Sequence, residues 1–282
     1  MPISQPNNVT SWYSLASHVG GGASARVTST GAVMLHLRRR HGQAASRPGS
    51  RAYLADTCVE GEPADSSSYA ALSLLGKTLS FTVDVSKASC GCVVAAYLVP
   101  MRANRERGSC GDFYCDANRV CGVGCSEIDI MEANSRAFLS TTHTLEPDCY
   151  GRGSGVGGAN HAFSASAYGP RGSTIDTDKP FRVHAYFEAA AADPGTLQDM
   201  AVTLGQSGRS LRFSPAPRHC LERHSAAMSR ATLVLSYWSA PSANLSWFDQ
   251  PPCAVDDQDA CGESVRISRI DLRPGRLKEG LM

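Results

Sequence analysis

From Gly31 onward the chain is a succession of short apolar or alternating segments broken by Gly, Pro, Ser and Asp clusters, a pattern that closes a core as packed strands. The clearest segment runs over 77–85. Leu79, Phe81, Val83 and Val85 face one way, and Ser80, Thr82 and Asp84 the other. The apolar run 93–99 reads as a strand buried on both faces. Further strands are expected over 32–37, 51–55, 126–131, 181–187, 200–204, 211–213, 231–238 and 265–272. One helix is expected around 220–228, with loops over 102–111 and 152–158. There is no internal repeat, and the Ser-rich stretch 64–68 reads as a surface loop because strands continue on both sides. The 26 glycines and 15 prolines supply turns, and 42% hydrophobic residues are enough for one core, so the 282 residues are read as one all-β domain.

Charge excludes some partners. With 27 basic and 26 acidic side chains the formal net charge is +1, so no global field draws the chain to nucleic acid or to an anionic membrane. The basic stretch Arg38, Arg39, Arg40, His41 reads as a solvated strand end. No apolar run approaches the ~20 residues of a membrane-spanning helix. Of eleven cysteines, six (Cys90, Cys92, Cys110, Cys115, Cys121, Cys125) crowd together, and disulfides are the first reading. A zinc site is the competitor, but paired Cys-x2-Cys knuckles and a following His-x3-His are lacking. The odd count leaves one cysteine unpaired or paired outside the chain. The N-terminal residues have neither the basic nor the apolar region of an export signal, while the sequons at Asn8 and Asn244 fit secretion.

The segment Glu127-Ile-Asp-Ile-Met-Glu132 places three acids in what otherwise reads as an interior strand. Buried carboxylates are costly without a task or a partner. In a regular strand Glu127 and Asp129 share a face, and Glu132 falls on the wrong parity. A bulge between Asp129 and Glu132 would return the last glutamate to the acidic face. Two carboxyl groups about 5–5.5 Å apart would then suit a retaining glycosidase, one as nucleophile and one as acid and then base. A straight strand would hold the α-carbons roughly 16 Å apart, so the bulge must shorten the run. Asp129 can share a proton with a neighbour and push the two glutamate pKa values apart. The competing reading is an edge strand whose acids face water. Trp238 ends an apolar strand and Trp247 sits in a loop, where stacking on sugar rings competes with core packing. His143, taken alone, reads as structural.

Three segments together, Gly111-Asp-Phe-Tyr-Cys-Asp-Ala-Asn118, Cys125-Ser-Glu-Ile-Asp-Ile-Met-Glu-Ala-Asn-Ser135 and the tryptophan segment, resemble glycoside hydrolase family 7, the cellulose-cleaving cellobiohydrolases and endoglucanases. The segments 71–85, 95–101, 168–170, 181–188 and 267–272 match in the same order, and the resemblance runs from about Arg26 to Gly275. It implies a concanavalin-like β-jelly roll, a sandwich of two antiparallel sheets with substrate lying in a cleft. It further implies Glu127 as nucleophile, Asp129 as its proton-sharing partner, Glu132 as acid/base and His143 in the same cleft. Tyr97 resembles a tyrosine near the nucleophile. Tyr114, Asp116 and Asn118 resemble a set that holds sugar hydroxyls, with asparagine where the family has glutamine, and Trp238 and Trp247 resemble stacking platforms. Disulfides Cys90–Cys261 and Cys115–Cys125 follow from the same comparison.

The sequence departs from the family in three ways. The family's N-terminal stretch before Arg26 has no counterpart here, the loops 101–114 and 143–168 are short, and the loop 254–261 is acidic where processive members offer an arginine. The expectation is therefore a secreted, open-cleft, retaining endo-β-1,4-glucanase. It has a partly disordered segment 1–25, a catalytic domain 26–275 and a flexible tail 276–282. It is read as a monomer with a polysaccharide substrate and with no metal, cofactor, nucleic acid or membrane. The alternatives are a β-1,3/1,4-glucanase of the same mechanism and a lectin-like binder that has lost turnover.

Overall fold

The computed structural model describes residues 25–37, 47–56, 65–156, 164–239 and 245–277, together with the backbone of three short strands at Pro2–Ser4, Thr10–Trp12 and Ser14–Ser17. Alternation of side chains builds two antiparallel seven-stranded sheets. The first, across its width, runs Arg152–Val156, Phe138–His143, Glu127–Ala133, Val93–Val99, Thr232–Ser239, Arg47–Ala55 and Ser14–Ser17. The second runs Arg209–Phe213, Leu197–Gln206, Phe181–Ala189, Lys77–Asp84, Ser264–Pro274, Val33–His36 and Arg26–Val27. Val94, Ala96 and Leu98 of the first sheet share one buried cluster with Leu79, Phe81 and Val83 of the second, which fixes which faces meet. The odd-numbered neighbours Val93, Ala95, Tyr97 and Val99 point the other way and join a second, smaller cluster with Tyr53, Tyr69, Tyr114 and Phe248. The 93–99 strand is thus buried on both faces, as its apolar run implies.

Two strands differ from expectation for identifiable reasons. Residues 152–156, expected as loop, form an edge strand paired with Phe138–His143. Its glycines are packing space: a Cβ at Gly155 would lie 2.0 Å from the Phe138 carbonyl oxygen, and one at Gly153 would lie 2.9 Å from Thr141 Oγ1. The strand Phe138–His143 carries Ser140, Thr141 and Thr142, which mask its β character in the sequence. It is launched by a tight turn in which Asn134 Oδ1 accepts the N–H groups of Arg136 and Ala137 at 2.7 and 2.9 Å. The expected helix over 220–228 is two short pieces, Arg218–Glu222 and Ser225–Met228, and a third lies at Ser246–Asp249. The tail residues 278–282, most of the segment 1–25, the basic stretch 38–41 and the sequons lie outside the described residues. The last strand reaches Pro274.

All six crowded cysteines are in disulfides, so none is left as a thiolate for zinc. Cys115–Cys125 forms as the resemblance implies, whereas the Cys90–Cys261 pairing is corrected: Cys90 joins Cys253 and Cys92 joins Cys261. Cys90 and Cys92 are separated by a single residue, so sequence alone could exchange their partners. Cys149–Cys220 and Cys110–Cys121 complete the set among the described residues, and Cys58 lies outside them.

Candidate active site

The strand Glu127–Ala133 carries one residue more than either neighbour. On one side Tyr97 pairs with Asp129 and Ala96 with Met131; on the other Thr141 pairs with Asp129 and Leu139 with Glu132. The extra residue lies between Asp129 and Glu132, where parity requires it. Ile130 and Met131 both enter the core with Ile128 and Ala133, and Glu127, Asp129 and Glu132 all line one cavity of about 660 Å³ on the opposite face. Regular alternation would have sent Glu132 into the apolar core.

The cavity walls come from adjacent strands and one long loop. Ala95 and Tyr97 lie beside the acids on the next strand, then Ser236 and Trp238, then Arg51, and the disulfide-bonded loop contributes Tyr114, Asp116 and Asn118. Tyr97 and Tyr114 share a hydrogen bond between their hydroxyls at 3.0 Å. The Arg51 guanidinium lies 3.7 Å from the Tyr114 ring centre, a cation–π contact that stiffens this wall. Asp116 Oδ1 accepts the Val120 N–H at 2.9 Å, which holds the loop beneath it. Trp238 is a lining residue, but Trp247 is not: it stands on the helix Ser246–Asp249, 42% exposed, its ring 5.6 Å from Phe248.

Each acid has a different environment. Glu127 Oε2 accepts the Ala117 N–H at 3.1 Å. Asp129 Oδ2 lies 3.1 Å from His143 Nε2, and His143 in turn packs against Tyr150 with ring centres 4.9 Å apart. The Tyr150 hydroxyl donates to Asn118 Oδ1, so the histidine strand is tied to the loop on the far side of the cavity. Burial pushes the Glu127 carboxyl well above the usual range, Asp129 and Asp116 add to the shift, and the Ala117 N–H opposes it. Burial, and then Asp129, raise Glu132 in the same direction. Burial and the neighbouring carboxylates thus favour the protonated form of both glutamates.

Every sequence-predicted residue except Trp247 therefore lines the cavity or, in the case of His143, touches an acid that does. Arg51, Tyr53, Asp112 and Tyr150 were not anticipated. Strand alternation within 51–55, with Ala52 and Leu54 in the core, would have turned Arg51 and Tyr53 toward the acids. Tyr53 donates to Asp112 Oδ2 at 2.7 Å beneath the wall. Near His143 lies a fully buried histidine, His224, whose two ring nitrogens have no hydrogen-bond partner among the described residues, as is true of His143 Nδ1.

The profile of Glycosyl hydrolase family 7 matches residues 21–121. The probable endo-beta-1,4-glucanase celB of Aspergillus fumigatus is 28% identical over 246 residues, covering 69% of this chain and 60% of its own length. Endoglucanase EG-1 of Hypocrea jecorina is 30% identical over 242 residues, covering 72% of this chain and 50% of its own. The chain thus spans about half to three-fifths of the length of these curated relatives. Among solved structures, the GH7 family cellobiohydrolase of Daphnia pulex superposes with a TM-score of 0.66 at 18% identity, covering 90% of this chain and 80% of its own, which establishes the jelly-roll sandwich.

Proposed function

The chain belongs to glycosyl hydrolase family 7, and on that premise we propose that it hydrolyses the β-1,4-glucosidic bonds of cellulose-type glucans with retention of configuration, in an endo-acting mode. The observation that carries this reading is the bulge that brings Glu127, Asp129 and Glu132 onto one face, beneath tyrosines and a tryptophan suited to sugar rings. The endo mode is supported by the relatives named as endo-beta-1,4-glucanase and endoglucanase, and by the short connecting segments 101–114 and 143–168.

In the first step the Glu132 carboxyl gives its proton to the glycosidic oxygen as Glu127 attacks the anomeric carbon, and the leaving sugar departs with the bonding pair. In the second step Glu132, now ionised, takes a proton from water, whose oxygen displaces Glu127 from the anomeric carbon. The raised pKa of Glu132 suits an acid that must be protonated at the start. Glu127 must begin ionised, against burial. The Ala117 N–H supports its charged form. His143 holds Asp129 in place through its 3.1 Å contact. Tyr114, Asp116 and Asn118 are assigned to sugar hydroxyls, Trp238 to ring stacking, and Trp247 to a more distant contact outside the cavity. The five disulfides among the described residues support an oxidising, extracellular setting.

The test is the stereochemistry of the first product. Proton NMR of cello-oligosaccharide hydrolysis should show the β-anomer forming first and mutarotating later, and Glu127→Gln should abolish cleavage while leaving the circular dichroism spectrum unchanged. Initial release of the α-anomer, or activity retained in that variant, would refute the assignment. A parallel run on barley glucan and laminarin separates β-1,4 from mixed-linkage specificity.

A further inference from the structure

The outer face of the second sheet, turned away from the acidic cleft, carries a second cavity of about 430 Å³ whose lining includes Arg182, Arg266 and Arg269. Strand register explains the cluster: Arg182 pairs with Thr82, Thr82 pairs with Ser268, and Arg266 pairs with Asp84, so the groups line up across three strands. Among the described residues none of the three guanidiniums has a carboxylate in ion-pair contact. Asp84, which also lines the groove, accepts the N–H and hydroxyl of Ser86 on Oδ1, at 3.1 and 2.7 Å. Arg182 is held by donation to the Arg269 carbonyl at 2.8 Å and to Thr82 Oγ1 at 3.3 Å. Burial lowers the Arg182 pKa, and the charges of Arg269 and Arg273 lower it further against the pull of Asp271.

Backbone conformation is a second sign. The last strand has an extra residue between Ser268 and Asp271, and Arg269 there has φ 52, in the left-handed region that favours glycine. Ile270 turns into the core beside it, and Arg269 remains exposed over the cavity. A long cationic side chain stands where a glycine would be less strained. On a chain of net charge +1, this groove is lined by three arginines and one carboxylate, Asp84, and the cleft of the other face by four carboxylates and one arginine, Arg51.

We propose that this groove binds an acidic polysaccharide, with Arg266 and Arg269 on its carboxylate or sulfate groups and Ser207 and Ser268 on neutral hydroxyls, anchoring the protein by the face opposite its cleft. The lining fits a hydroxyl-rich anion better than a nucleic acid. Its one aromatic, Phe181, is 1% exposed and offers no stacking platform for bases.

Affinity electrophoresis and calorimetry of the full chain with polygalacturonate, dextran sulfate and single-stranded DNA test the proposal. Retardation by polygalacturonate at low salt is expected, weakened about tenfold or more in Arg266→Gln/Arg269→Gln with hydrolysis of soluble glucan unchanged. A stronger response to dextran sulfate would assign the sulfate ester as the ligand group. Arg269→Gly should lose affinity while melting no lower than the parent chain. Absence of retardation by both glycans, equal retardation of the double variant, or tighter binding to DNA than to either glycan would overturn the proposal. Because hydrolysis is read separately, failure here leaves the catalytic assignment untouched.

Discussion

Glu132 faces a cavity from a position that alternation would bury, and its chemistry and its stability effect both follow from that placement. If it is the proton donor, Glu132→Ala should slow hydrolysis of unactivated glucan by about 10²–10⁴ and spare aryl glycosides whose leaving groups need no proton. Equal losses on both substrates, measured by steady-state kinetics, would remove the acid role. The fold also holds Glu127 and Glu132 above their ordinary pKa, so it binds protons more tightly than the unfolded chain does. That contribution is fully present below the ordinary carboxylate pKa and is lost as pH rises through the raised values. Glu132→Gln should therefore melt close to the parent near about pH 4 and above it at neutral pH, a gap that calorimetry across that range would show. The acids were legible in the sequence because apolar residues separate them. His143 gained meaning only from the family resemblance, since a single histidine in Thr-Thr-His-Thr says nothing about an aspartate fourteen residues earlier. The Ala117 N–H on Glu127 could not be read at all, because a backbone donor leaves no mark on residue type.

At the level of the strand, one extra residue decides whether three acids act together. Deleting Ile130 would restore alternation in the register already present, so the three acids would stay on the cleft face while the bulge and one core side chain were lost. The expected result is a drop in thermal stability from the missing Ile130 packing and slower hydrolysis, because the bulge no longer sets the angle between Glu127 and Glu132. A deletion variant that hydrolyses as fast as the parent would show that the bulge serves parity alone. Parity alone exposed this device in the sequence, since two acids that must share a side lie an odd five positions apart. Strand Arg152–Val156 was hidden for the converse reason. Its glycines look like loop chemistry, and only contact with the Phe138 carbonyl shows that they admit a neighbouring strand. Tryptophan spacing was similarly incomplete: Trp238 and Trp247 are nine residues apart in sequence, but one ends a strand beside the acids and the other rides on a separate helical turn.

For the molecule as a whole, the two sheets are stapled at one end. Cys92 precedes the strand Val93–Val99 of the first sheet and Cys261 the strand Ser264–Pro274 of the second, with Cys90–Cys253 alongside. Asp249, fully buried, reinforces the same end by accepting from the Gly91 N–H at 3.1 Å and from Asn134 Nδ2 at 2.8 Å. Replacing the cysteines of both staples, Cys90, Cys92, Cys253 and Cys261, by serine should lower stability by about 2–5 kcal/mol or more, measured as a shift in the urea midpoint, because a loop of 169 residues is no longer closed. An unchanged midpoint would mean that packing alone holds the sheets together. The sandwich was legible from alternation, but the pairing of these four cysteines was not, because two spaced by a single residue offer equivalent partners. The staples also have a consequence for survival outside a cell. A protease that cuts the backbone once, anywhere between 93 and 252, leaves two pieces still riveted to each other at two points or more, so the severed halves can stay docked and the cleft intact.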